Sequence, residues 1–312
     1  MHRRSWRPTG LRPSRKQVKR YISRESRCAE QSCQLYSSSI RCCSPCQTGL
    51  ERPGQGGLPG QHLLHDLRIM PVPHRPTRRA EGEFPFCKDN GFCAILFDWD
   101  GVLVDSGENY YRAYEMVLRD VGVPITPREI YLREEQPTGQ LLSAIFQQRG
   151  RAIDSATIED MVERRREYDV ALGQRRFFQG VWDLIGRLHG AHIRVGMVTG
   201  SSRKSIDRVL TTNLAAVFDA IITADDAVLP KPHAEPFLLA AERLAVEPGQ
   251  CLVVENAPFG IRGARAAGCA VVGLCTTLGP DDLHEANWIA LNHAELEGLL
   301  SGKTVQAAHR AP

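Results

Sequence analysis

The run AILFDWDGVLVDS, residues 94–106, constrains this chain more than any other stretch. Four apolar residues, Ala94 to Phe97, read as a buried strand, and two aspartates, Asp98 and Asp100, follow at its mouth. Carboxylates at the edge of an apolar core cost free energy unless a cation or hydrogen bonds compensate them. The two aspartates therefore call for a cation.

Beyond residue 91 short apolar runs recur at 93–97, 193–198, 220–222, 251–254 and 270–274, separated by helix-like segments at 203–214, 235–244 and 259–267. This alternation predicts an α/β fold, a doubly wound parallel sheet with helices on both faces. Near-continuous Val/Ile/Leu strands suit a sheet buried on both sides. Between 106 and 180 the rhythm breaks. No strand candidate occurs there, only helical patterns at 111–121, 141–148 and 156–172. They read as a helical cap, 107–179, inserted after the first strand of a core made of 91–106 and 180–302. In an open parallel sheet the ligand lies outside the carboxyl ends of the strands, so such an insert stands over the site as a lid.

Four polar clusters follow four apolar runs: Asp98-Trp99-Asp100, Thr199-Gly200-Ser201-Ser202-Arg203, Lys231-Pro232 and Glu255-Asn256. Each alone has an ordinary explanation, such as a helix cap for the serines or a helix start for Glu255-Asn256-Ala257-Pro258. Four in order at strand ends converge on one edge, where carboxylates, a lysine, a hydroxyl and backbone amides suit a divalent cation and a phosphate. Asp98 can attack phosphorus, and Asp100 can protonate the leaving oxygen and then activate water. Thr199 and the amides of Gly200 and Ser201 can hold phosphoryl oxygens while Lys231 neutralises their charge. In the cap, YLREEQPTG carries a dense polar cluster in which Arg133 and Glu134 are candidate substrate contacts, as is Arg203 in the core.

The motifs FDWDGVLVDS (97–106), MVTGSSR (197–203), KPHAEPF (231–237) and VVENAPFGIRGARAAG (253–268) resemble those of the haloacid-dehalogenase superfamily, in the branch of β-phosphoglucomutase and phosphoglycolate phosphatase. The resemblance covers about residues 92–300. It implies a phosphoaspartate nucleophile at Asp98, an acid/base at Asp100, phosphoryl binding by Thr199 and Lys231, and Mg²⁺ held by Asp98, Asp100 (through its carbonyl), Glu255 and Asn256. The implied function is a Mg²⁺-dependent phosphatase of a small phosphorylated metabolite, a sugar phosphate or a phosphoglycolate-like acid. A β-phosphoglucomutase-like mutase is the rival enzyme, and a non-catalytic binding or regulatory protein is the rival of another class. Two departures stand out. Many relatives carry a second acid where this chain has Asn256, and mutases carry a histidine where this chain has Tyr110.

Residues 1–80 hold sixteen Lys/Arg and four Asp/Glu, whereas the remainder holds 23 and 32, so the net charge of +3 hides a basic arm on an acidic body. The arm, rich in Arg, Ser, Pro and Gly, reads as a disordered extension, with a targeting peptide, nucleic-acid binding or a true start at Met70 as alternatives. Cys43 and Cys46 lack a second ligand pair, which argues against zinc. Cys93, Cys251, Cys269 and Cys275 fall in or beside apolar runs and read as buried free thiols. No apolar run reaches membrane-spanning length. The expectation is a cytoplasmic monomer or weak dimer (organellar if the arm is a transit peptide), whose core binds neither nucleic acid nor membrane.

Overall fold

A computed structural model describes residues 84–303 apart from 174 and 211–214. The basic arm, the Cys43–Cys46 pair and nearly all of the tail at 303–312 lie outside the described residues.

A short helix α1 (Pro85–Asp89) precedes strand β1 (Ala94–Phe97) and the two-residue β2 (Val104–Asp105). Helices α2 (Gly107–Arg119), α3 (Pro127–Tyr131), α4 (Thr138–Gln148) and α5 (Ser155–Ala171) follow before β3 (Arg176–Phe177). Then come α6 (Val181–Gly190), β4 (Arg194–Val198), α7 (Arg203–Ile206), β5 (Ala220–Ile222) and α8 (Glu235–Leu244). β6 (Cys251–Glu255), α9 (Pro258–Ala266), β7 (Ala270–Leu274), β8 (Trp288–Ala290) and α10 (His293–Leu300) complete the chain.

Six strands form one parallel sheet in the order β5-β4-β1-β6-β7-β8. Chain order runs outward from β1 to one edge and then from β6 to the other. The topological switch therefore falls between β1 and β6, where open sheets open a crevice. Alternate residues of β1 face opposite layers. Ile95 and Phe97 pack with Val181, Leu184, Ile185 and Leu188 of α6. Ala94 and Leu96 pack with Phe237, Ala240 and Leu244 of α8 and with Ile261 and Ala264 of α9. All four β1 residues are buried, which is why its sequence does not alternate.

Four details differ from the sequence reading. The interval expected to hold no strand contains β3, which pairs antiparallel with β2, Val104 against Phe177 and Asp105 against Arg176. A sixth strand, β8, closes the sheet edge. Its three residues, Trp288-Ile289-Ala290, are an apolar run that the sequence reading passed over, and the strand is only partly buried. Cys93, expected to be buried, is exposed because it precedes the strand; Cys251 and Cys269 are buried and Cys275 is half-buried, and all are free thiols. The helix expected over 203–214 is seen as α7 alone, with 211–214 outside the described residues.

Helices α2 to α5 form the inserted layer. Asp154 caps α5 by accepting from the Thr157 amide at 2.8 Å, and Thr126 with Glu129 forms a capping box on α3. Tyr168 of α5 donates to Asp120 at 2.9 Å at the end of α2. Among the described residues no helix is long and apolar enough to cross a membrane.

Ile95 lies in the central strand at 0% exposure, so Ile95→Ala opens a cavity with no exposed route for collapse. The expected loss is about 2–5 kcal/mol. Denaturant unfolding checks it: the midpoint falls with an unchanged slope.

Candidate active site

The carboxyl ends of β1, β4 and β6 meet at Lys231, which reaches them from the loop before α8. Its Nζ donates to Asp98 Oδ1 at 2.8 Å, Glu255 Oε1 at 2.6 Å and the Val198 carbonyl at 3.2 Å. Those three bonds use all three ammonium protons. Asp98, Lys231, Glu255 and Asn256 are all buried. Glu255 is fixed on its other oxygen as well, since Oε2 accepts from the amides of Asn256 (3.0 Å) and Ala257 (3.2 Å). Residue 260 must be glycine for this to hold, because a Cβ there would collide with the Glu255 carboxylate.

Burial drives the electrostatics. It pushes Asp98 and Glu255 each up to about 7, although Lys231 pulls both down. Burial also disfavours the Lys231 ammonium, but Asp98, Glu135 and Glu255 outweigh it and hold the group well above its ordinary range. Glu134 is raised well above the carboxylate range by burial and by Asp100, Glu135, Asp98 and Glu255 around it.

Asp100 sits beside this cluster. Its Oδ2 accepts from Ser201 Oγ at 2.9 Å and its Oδ1 from Arg175 at 3.2 Å. Arg175 in turn donates to Asp169 of α5 at 2.6 Å. Thr199 is buried, and its Oγ1 accepts from the Ser201 amide at 3.0 Å. Ser202 serves as the cap of α7, the ordinary role its position suggested.

A cleft of about 730 Å³ opens above, lined from the core by Asp100, Gly200, Ser201 and Lys204, and from the insert by Tyr110, Glu134, Glu135, Arg165 and Thr138. Of the sequence-derived candidates, Asp100, Gly200, Ser201 and Glu134 line this cleft, and Asp98, Thr199, Lys231, Glu255 and Asn256 lie buried around the strand ends. Two do neither. The Arg203 guanidinium turns to Asp226 at 3.7 Å, and Arg133 folds back to the Glu129 carbonyl at 2.8 Å; neither lines the cleft. Arg175 and Thr277 went unassigned, and Glu135 was read only as a member of the YLREEQPTG cluster. Arg175 lies 75 residues from Asp100 in an irregular stretch, and no local pattern marks it.

Donors for a hard cation are present. Asp98, Glu135 and Glu255 each bring a carboxylate oxygen within 4.8 Å of the others. Asn256 Oδ1 is buried without a partner, while its Nδ2 donates to Glu134 (3.2 Å) and Thr277 (3.0 Å). An all-oxygen set with a buried orphan carbonyl fits Mg²⁺.

A family model described as haloacid dehalogenase-like hydrolase matches residues 95–274. The chain belongs to this family. It is 28% identical to a fructose-1-phosphate phosphatase of Escherichia coli (strain K12) over 58% of this chain and 95% of that one. It is 30% identical to a phosphoglycolate phosphatase of Salmonella typhimurium over 58% of this chain and 80% of that one. Among solved structures it resembles a β-phosphoglucomutase from Clostridium difficile, with a TM-score of 0.56 at 24% identity, covering 68% of this chain and 98% of that one. This last likeness concerns the fold.

The raised carboxylates carry a pH dependence. Asp98 and Glu255 ionise near 7 when folded but near the ordinary 3.8 and 4.5 when unfolded. Between those values the metal-free folded protein holds protons the unfolded chain has released, so stability falls as pH rises through that window. Mg²⁺ binds the ionised form and opposes the loss. Melting scans should give a lower metal-free Tm at about pH 8 than at about pH 5, and a larger Mg²⁺-induced rise at about pH 8. A Mg²⁺ effect equal at both pH values would contradict this.

Proposed function

We propose that the protein is a Mg²⁺-dependent phosphatase acting on a small phosphorylated metabolite through an aspartyl-phosphate intermediate. The observation that carries this reading is the buried Lys231 ammonium 2.8 Å from Asp98 Oδ1. It holds one carboxylate oxygen and leaves the other as the attacking atom.

In the first step that oxygen bonds to phosphorus as the bond to the leaving oxygen breaks. Asp100, reached by Ser201 and Arg175, gives its proton to the leaving oxygen. In the second step Asp100 takes a proton from water, whose oxygen attacks the same phosphorus, and the bond to Asp98 breaks to release phosphate. Thr199 and the Gly200 amide hold the phosphoryl oxygens, and the Lys231 charge offsets theirs. Asp98, the Asp100 carbonyl and Asn256 Oδ1 would hold the cation, which when bound neutralises charge on the phosphoryl oxygens. Glu255, whose carboxylate oxygen lies within 4.8 Å of an Asp98 oxygen, would join those ligands.

The cleft volume suits a metabolite-sized ligand. Relatives that act on fructose 1-phosphate and phosphoglycolate support a sugar phosphate or a phosphorylated small acid as substrate. Tyr110, which lines the cleft where mutases carry a histidine, favours simple hydrolysis over transfer back to a reoriented sugar.

Asp98→Asn is isosteric but replaces the nucleophile with an amide. Hydrolysis of p-nitrophenyl phosphate should fall by at least about a thousandfold while the melting temperature stays near that of the parent. Retention of a few per cent of the rate would sink the covalent mechanism, and activity indifferent to EDTA would sink the Mg²⁺ requirement. Asn256→Asp places a carboxylate beside Glu134 and opposite a cation. Calorimetric titration should show tighter Mg²⁺ binding, with a lower metal-free Tm from the added repulsion. Unchanged Mg²⁺ affinity would mean that residue 256 does not face the cation.

A further inference from the structure

Glu135 stands in the left-handed region, at φ 77°, where a non-glycine residue is strained. Consecutive turns hold it there, with the Glu134 amide on the Tyr131 carbonyl (3.1 Å) and the Gln136 amide on the Arg133 carbonyl (3.1 Å). The strained backbone aims the side chain out of the insert and into the core site. Its Oε1 lies 3.5 Å from Lys231 Nζ, and its Oε2 is buried with no partner. That oxygen lies against Gly200, close enough that a Cβ at residue 200 would collide with it. A Glu135 oxygen also lies within 4.8 Å of Asp98 and Glu255 oxygens.

A phosphoryl group bonded to Asp98 must put its own oxygens beside Lys231 and over Gly200. The Glu135 carboxylate already fills that volume. Lys231 spends its protons on Asp98, Glu255 and Val198, so it does not hold Glu135 with a short bond. We propose that Glu135 is a resident anion of the phosphoryl cradle, a cap-borne competitor that sets substrate affinity and must withdraw with its loop before a phosphorylated substrate seats. The proposal rests on the phosphatase reading for the location of the cradle.

The test is binding of inorganic phosphate to the full chain in saturating Mg²⁺, by calorimetry, alongside hydrolysis of p-nitrophenyl phosphate. Glu135→Gly suits the left-handed backbone and clears the volume, so phosphate should bind at least about tenfold more tightly, without loss of melting temperature. Glu135→Gln removes the charge but keeps the bulk and should fall between Glu135→Gly and the parent. Phosphate affinity unchanged or weakened in both variants overturns the proposal, as does a loss of Mg²⁺ affinity in Glu135→Gln with phosphate binding unmoved, which would make Glu135 a cation ligand. Sharper phosphate binding without hydrolysis in any form upholds the competitor and overturns the phosphatase reading. Hydrolysis with phosphate affinity equal in all three forms does the reverse.

Discussion

The Lys231 ammonium is the constraint on which the rest of the site depends. It ties β1, β4 and β6 together through Asp98, the Val198 carbonyl and Glu255, and it does so in the buried core. Taking three charges out of water is costly, and only full hydrogen bonding of every partner makes it tolerable. Much of the local architecture follows from that need. Glu255 occupies the end of the strand beside β1, two backbone amides close its second oxygen, and residue 260 has no side chain to disturb it. Removing Lys231 would leave Asp98 and Glu255 as adjacent buried like charges. Asp98, the proposed nucleophile, is thus positioned by the same group that makes its burial affordable.

Much of the fold was legible because the sheet is buried on both faces. Five of its six strands were read from their apolar runs, and three of the four polar clusters fall at strand ends because the sheet is parallel throughout, while Lys231 comes from the loop before α8. β8 was passed over although Trp288-Ile289-Ala290 is as apolar and as long as β5; it lies half-buried at the sheet edge. The β2–β3 pair was not either, because two-residue strands form through their partners, not through their own sequence. In the site, residues on strand ends were placed correctly by topology alone. Arg133 and Arg203 were not, because residue position leaves the direction of a long side chain open. Each found a nearer acceptor in its own neighbourhood, a carbonyl of α3 for Arg133 and Asp226 for Arg203. Glu135 was visible only as part of a polar cluster. Its direction comes from a positive φ that tertiary packing imposes.

The short β2–β3 ribbon makes the junction between the two layers chemically specific. The chain leaves the core at Val104–Asp105 and returns at Arg176–Phe177, so one antiparallel pair carries both crossings. Aromatic packing anchors that pair to the core, with Trp99 edge-on to Phe177 at 5.5 Å and Phe177 against Trp182 at 4.7 Å. Arg175 is the residue just before β3, and it joins Asp100 of the core to Asp169 of α5. A rotation of the insert about this ribbon displaces Asp169 and so acts on the partner of Asp100. The insert and the core therefore share one charged network. Core residues supply Asp98, Asp100 and Lys231, while the insert supplies Glu134, Glu135 and the Arg165 held over Tyr110 and Tyr114. The cleft above Asp100 is lined about equally by insert-borne and core residues. A change in the insert can then alter which molecule is admitted without altering how Asp98 is held.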